Sequence, residues 1–342
     1  MQMLGALRAA AEAGEKIERL DPWSRDEDFD ILHVWGLEPA HAMNVHWAKK
    51  AGKQVVMTAL LPYLTARSQF RWYLSLRLRK LAFAAGFRGW GPQRSALLEK
   101  IDRLVVVNQL QAETAVQVFG FPAKRIAVIP NIVENHFFAN QGEQYHGEVS
   151  VLCTGNICRR KNQLMLAHAC RLAGLSLLLI GSVLTGEEDY ADEIQQVIKG
   201  DLRMRWIKGV AHDSDELLQA YRNAAVFALV SFEETQPQSL LEAKAVGCRL
   251  VIANRAYARQ EYYTNAILVE PDSIASIAGG LVRAAKEGRP GPDPAMQKTC
   301  SRAAVGQAYV TLYHSLKSSS DNGPLRQGSG SGVKSNSEVS QS

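Results

Sequence analysis

The stretch Val149-Ser-Val-Leu-Cys-Thr-Gly155, the cationic turn Asn156-Ile-Cys-Arg-Arg-Lys161 and the run Leu175-Ser-Leu-Leu-Leu-Ile180 decide the fold. Both flanking runs are short and almost continuously apolar, so each reads as a strand buried on both faces rather than on one. Between them, residues Lys161–Gly174 carry Leu164, Leu166 and Ala169 at helical spacing and close on a glycine. A strand, a helix and a second buried strand make a βαβ unit, which lays its strands parallel.

The same alternation continues outward toward the carboxyl end. Glu187–Gly200 reads as a helix, Leu202–Ile207 as a strand, and Ser214–Asn223 as a helix with Ser214 as its cap. Val226–Val230 is a strand, Gln238–Val246 a helix ending in Gly247, and Leu250–Ala253 and Ile267–Val269 are strands before a helix at Ser273–Glu287. This half is a doubly wound α/β domain. Toward the amino end, strands are expected at Ile31–Trp35, Gln54–Ala59, Leu104–Asn108 and Ile126–Ile129. Helices are expected at Ala40–Ala51, Arg67–Ala85 and Gln111–Phe119. The helix at Met1–Gly14 has no strand before it, so this domain is expected to lack its opening strand.

Length and composition agree. A chain of 342 residues suits two domains of about 150 each. With 46% hydrophobic and 21% charged residues, a largely disordered chain is excluded. A net charge of +5 is too mild for a dedicated nucleic-acid binder. Five cysteines, an odd and sparse number, argue against a disulfide framework and for a reducing cytoplasm. No run approaches the roughly 18 apolar residues of a membrane span, and Met1–Gly14 lacks the pattern of a signal peptide. The expected organisation is a first domain at 1–135, a second at 148–290, closing helices at 291–317 and a disordered tail at 318–342. That tail holds nine Ser and four Gly.

The chemistry concentrates in Ser231-Phe-Glu-Glu-Thr-Gln-Pro-Gln-Ser-Leu-Leu-Glu-Ala-Lys-Ala-Val-Gly247. It leaves a buried strand and enters a helix, the place where open α/β sheets bind ligands. Backbone N–H groups at Gln238, Ser239 and Leu240 would emerge from the helix start and favour an anionic phosphate. A carboxylate beside them, Glu234 or Glu242, can accept hydrogen bonds from a sugar diol. Spacing alone leaves open a solvated Glu234 and a Glu242 that merely favours its helix start. Arg159, Arg160 and Lys161, at the carboxyl end of the domain's first strand, supply positive charge.

The pattern Glu234-x7-Glu242, followed by Ala-Lys-Ala-Val-Gly247, the strand Arg249–Ala253 and Glu261, resembles the retaining glycosyltransferases of family 4, which have the GT-B fold. Three further pieces agree in order. Arg125-Ile-Ala-Val-Ile-Pro-Asn131 resembles that family's link between domains. Gly155-Asn-Ile-Cys-Arg-Arg-Lys-Asn-Gln163 resembles its glycine turn, and Tyr221–Ser231 resembles the strand that precedes the first Glu. The resemblance implies two Rossmann-like domains facing a cleft, with the last helices packed back on the first domain. It implies Glu242 on the nucleotide ribose, Glu234 on the transferred sugar and Lys161 on the diphosphate. The implied activity is metal-independent transfer of a hexose from a nucleotide sugar, which is a substrate rather than a cofactor, to a glycan or lipid-linked acceptor. Cell-surface polysaccharide synthesis is the expected setting. Glu234 is then expected to matter more for the sugar than for the bare nucleotide.

Three departures accompany the resemblance. Asn156 stands where the family's turn has Arg, so Arg159 or Arg160 would supply the second charge. Thr58-Ala-Leu-Leu-Pro62 lacks the His that often lies near the reacting sugar, and the opening strand with its Gly-rich loop is not seen. They keep two rivals open, a non-catalytic scaffold of the same fold and a nucleotide-sugar epimerase. Other chemistries fit less well. No G-x-G-x-x-G follows a strand, and neither His41 with His46 nor Cys153 with Cys158 has the partners of a zinc site. His33 reads as a strand-end or core histidine rather than a base. Residues 67–103 hold nine Lys/Arg interleaved with aromatics, a composition suited to peripheral contact with an anionic membrane from the cytoplasmic side.

Overall fold

In the computed structural model, which describes residues 2–21, 29–61, 74, 97–138 and 149–321, the apolar runs become two parallel sheets. The helices are α1 (Gln2–Glu12), α2 (Ala42–Lys50), α3 (Gln109–Gln117), α4 (Gln163–Ala173), α5 (Glu188–Ile198), α6 (Asp215–Arg222), α7 (Gln238–Val246), α8 (Ile274–Glu287), α9 (Pro294–Cys300) and α10 (Arg302–Asp321). The first sheet holds β1 (Ile31–Trp35), β2 (Gln54–Thr58), β3 (Arg103–Val106) and β4 (Ile126–Val128), side by side in chain order. The second holds β5 (Val149–Thr154), β6 (Leu177–Ile180), β7 (Met204–Ile207), β8 (Ala224–Leu229), β9 (Arg249–Ala253) and β10 (Ile267–Val269), in the order β10-β9-β8-β5-β6-β7.

Alternation along the strands of the first sheet sends successive residues to opposite faces. Leu32, Val34, Val55, Met57, Leu104 and Val106 pack with Val45 and Ala48 of α2 and Ala112 and Ala115 of α3. Val56 and Val105 face the other way, onto Ala6, Ala9 and Ala10 of α1 and Val305, Tyr309 and Leu312 of α10. The carboxyl-terminal helix therefore returns across the molecule to close the first domain, as expected. Polar contacts reinforce it: Glu15 meets His314 at 2.6 Å and Lys317 at 3.3 Å, while Arg302 meets Glu134 at 2.8 Å. Among the described residues no strand precedes Ile31; α1 instead lines the face that α10 covers.

In the second sheet the central strands are buried, while the edge strands β7 and β10 expose Arg205 and Leu268. Val226, Phe227, Ala228 and Leu229 of β8 are inaccessible, and burying side chains of this size contributes about 1.5–3 kcal/mol each for the larger ones. The caps follow the sequence. Ser214 accepts from the Leu217 amide and Ser273 from the Ser276 amide, while Gly247 ends α7 in the left-handed region. The closing segment forms two helices, as expected, but α10 runs on to Asp321, past the expected end at 317; the Ser318 hydroxyl donates to the His314 and Ser315 carbonyls of its own helix. The rest of the expected tail, the expected helix at Arg67–Ala85 and most of the basic, aromatic stretch lie outside the described residues.

Candidate active site

Strand order places the site. β5 is flanked by β6 on one side and β8 on the other, so the crossovers leave in opposite directions and the loops after β5 and β8 part around a crevice. The loop after β5 carries Gly155 to Lys161, and the loop after β8 carries Phe232 to Pro237.

Glycine makes the first loop tight. A Cβ at Gly181 would lie 2.0 Å from the Gly155 carbonyl oxygen, and one at Gly155 (φ +128°) would meet Lys161 Nζ at 3.0 Å. Lys161 therefore folds over a bare backbone. After a single 3-10 turn, Asn162 adopts φ 61° and its amide donates to the carbonyls of Val230 (3.3 Å) and Pro271 (2.8 Å). Asn tolerates that left-handed conformation better than other residues with a side chain. It pins the β5 loop to the end of β8, and the sequence reading did not single it out. The signal was present: a residue able to turn left-handed directly after the cationic run.

The two loops meet through charge. Glu234 Oε1 lies 3.0 Å from Arg160 and 3.1 Å from Lys161, with only 9% of its side chain exposed. Neither cation aligns for a hydrogen bond, so this buried oxygen has no hydrogen-bond partner. Arg160 also donates to the Glu233 carbonyl, and its own carbonyl accepts from the Phe232 amide at 2.9 Å. Arg159 does not join them. It turns to α5, paired with Glu193 at 2.8 Å and placed over the Tyr190 ring. Of the two arginines that could replace the expected turn Arg, Arg160 is the one that lies beside Glu234. Asn156 is exposed, and its carbonyl accepts from Gln163.

At the start of α7 the expected row of free amides is shorter. The Leu240 amide donates to the Pro237 carbonyl at 3.2 Å and its side chain enters the core, which leaves Gln238 and Ser239 as the open donors. The Gln238 side chain reaches the Ile132 carbonyl at 3.5 Å.

Glu242 sits apart from the cations, almost wholly buried. Its Oε2 accepts from the Tyr221 hydroxyl at 2.8 Å, and His212 Nε2, from the loop after β7, lies 3.5 Å from its Oε1. Burial raises its carboxyl above the usual range, opposed by His212 and the Tyr221 hydrogen bond. His212 is a further site neighbour that the sequence reading passed over, and Tyr221 entered that reading only as the first residue of a family-like stretch, with no role of its own.

Buried amides join the halves beside the Glu loop. Gln236 accepts from the Asn131 amide at 2.8 Å through its side chain and from the Asn131 side chain at 2.8 Å through its carbonyl, and it donates to the Val107 carbonyl at 2.9 Å. Gln260 accepts from Asn108 at 3.0 Å and donates to the Thr235 carbonyl at 2.7 Å. The residues next to Glu234 are thereby held from the first domain.

Other candidates settle into the structure. His33 bonds Tyr313 and Thr58, each at 2.8 Å, and burial lowers its pKa to about 3, so it is a neutral packing residue. His41 bonds the Trp35 carbonyl at 2.9 Å, and burial pushes the Cys153 thiol up to about 12.

Residues 148–287 match the family model described as "Glycosyl transferases group 1", and residues 9–136 match "Glycosyltransferase Family 4". Similar solved structures include Anabaena HepE in complex with UDP and glucose, at a TM-score of 0.54 and 18% identity over 86% of this chain and 78% of that one. The sucrose-phosphate synthase of Thermosynechococcus elongatus gives 0.57 and 17% over 85% and 74%. The lipopolysaccharide outer core galactosyltransferase WaaB, in its apo form, gives 0.56 and 16% over 92% and 81%. These likenesses establish the two-domain GT-B fold. Comparison with curated proteins gives no match.

Proposed function

Since this chain belongs to the family 4, group 1 glycosyltransferases, we propose that it moves a hexose from a nucleotide sugar to a glycan or lipid-linked acceptor with retention of configuration. The observation that carries the reading is the convergence of Arg160, Lys161 and Glu234 at the switch point of the second sheet. Cleaving a glycosyl–phosphate bond builds negative charge on the leaving nucleoside diphosphate. Lys161, Arg160 and the Gln238 and Ser239 amides are suited to hold that charge without a metal ion, and losing one such donor typically costs about 10²- to 10³-fold in rate. Glu234 would accept a hydroxyl of the transferred sugar, and Glu242 would receive the ribose. HepE, solved with UDP and glucose, supports UDP-glucose as the first donor to try. Cell-surface polysaccharide assembly is a setting consistent with WaaB, the lipopolysaccharide outer core galactosyltransferase.

Peripheral contact with an anionic membrane belongs to the same proposal. Supporting it, a cavity of about 570 Å³ opens on the first domain, where His46, Lys49, Lys50, Lys100 and Arg125 outnumber the carboxylates Glu99 and Asp102, and α2 exposes Met43 and Trp47. No described helix is long and apolar enough to cross a membrane. Incubation with radiolabelled UDP-glucose and candidate acceptors, with and without EDTA, tests the transfer. Product in both arms supports the proposal, donor interconversion alone favours an epimerase, and binding without product favours a scaffold.

A further inference from the structure

We infer that Glu234 is a resident counter-ion for the diphosphate site, and that this makes the site selective for the intact donor over the spent nucleoside diphosphate. The inference rests on the glycosyltransferase reading and extends it. One carboxylate oxygen of Glu234 neutralises both site cations, Arg160 at 3.0 Å and Lys161 at 3.1 Å. That oxygen is buried and has no hydrogen-bond donor. It is therefore held by charge alone.

An arriving diphosphate competes with Glu234 for the same two cations. Drawing them away leaves a nearly buried carboxylate with neither a counter-ion nor a hydrogen bond, which is an expensive state. A nucleotide sugar relieves it, because a sugar hydroxyl beside the diphosphate can donate to Glu234 Oε1 as the cations turn to phosphate. A bare nucleoside diphosphate brings no such donor. The carboxylate thus opposes the spent product more than the donor, and favours product release after the sugar has left. On this inference Glu234 also governs the bare nucleotide, beyond the expected greater weight on the sugar.

Calorimetric titration of UDP, UDP-glucose and inorganic pyrophosphate, in chelator, into the parent chain and the Glu234→Gln and Glu234→Ala variants tests the inference. Thermal unfolding confirms that each variant is folded. UDP and pyrophosphate should bind roughly tenfold tighter to both variants, as expected when a competing charge is removed from a partly buried pair. UDP-glucose should gain less or lose affinity, so its preference over UDP falls. Equal or weaker binding of UDP and pyrophosphate to the folded variants, with the parent binding both, overturns the counter-ion role alone. A parent that binds neither nucleotide nor pyrophosphate overturns the reading of the site on which the inference rests.

Discussion

Tyr221 donates its phenolic hydrogen to the buried carboxyl of Glu242 at 2.8 Å, and in turn accepts from Thr154, also at 2.8 Å. The tyrosine has one hydrogen, so donation to Glu242 makes Thr154 the donor of the second bond. The chain of hydroxyls runs from the end of β5 to the interior of α7, through a ring packed edge-on against Phe137 of the segment joining the halves. The ribose candidate is therefore oriented by the core of its own domain.

Removing that donor should be costly. Tyr221→Phe leaves Glu242 Oε2 without its buried hydrogen bond, and destabilisation by about 1–3 kcal/mol is expected. Chemical denaturation of parent and variant measures it, and UDP titration should show weaker binding because the carboxyl is no longer oriented.

Protonation of Glu242 sets a pH dependence. Burial raises its carboxyl above the ordinary value. The folded state therefore favours the protonated form. The associated stability is complete below the ordinary value and is lost as pH rises through the raised one. Glu242→Gln mimics the neutral form and should lose less stability than the parent as pH rises above the ordinary carboxylate range. Melting temperatures across that rise check it; parallel curves would assign the pH dependence elsewhere.

The cationic turn should divide sharply. Lys161→Ala should weaken UDP binding by about 1.5–3 kcal/mol, the range for a charge-assisted contact. Arg160→Ala should cost less, since its side chain is 47% exposed and screened by solvent. Arg159→Ala should leave affinity unchanged, because that side chain is committed to Glu193. Calorimetry on the three variants ranks them.

Gln236 should act on both halves at once. Gln236→Ala removes the hydrogen bonds its side chain makes to Asn131 and Val107 and leaves buried partners unsatisfied, with an expected loss of about 2–4 kcal/mol. Solution scattering should report a broader distribution of distances between the halves, and turnover should fall with it, since Glu234 sits two residues away.

Local chemistry in the chain determined much of this protein. Continuous apolar runs separated by amphipathic helices can only be buried as parallel strands covered on both faces, so Val149–Ile180 by itself specified the βαβ unit. Ser214 and Gly247 specified helix ends, because capping depends on neighbours a few residues away. The order of Glu234, Glu242 and Lys161 along the chain carried the resemblance that pointed to this candidate site. What linear order does not carry is which groups face each other. Arg159 and Arg160 are neighbours in sequence, yet one pairs with α5 and the other with Glu234, a choice made by the turn that Asn162 closes. Glu242 reads as a helix-start carboxylate, but packing turns it inward onto Tyr221 and His212, residues 21 and 30 positions earlier. The joining of the halves through Asn108, Asn131, Gln236 and Gln260 was hidden for the same reason. Amides give no periodic signal, and their worth comes from burial, which exists only once two distant segments have excluded water from between them.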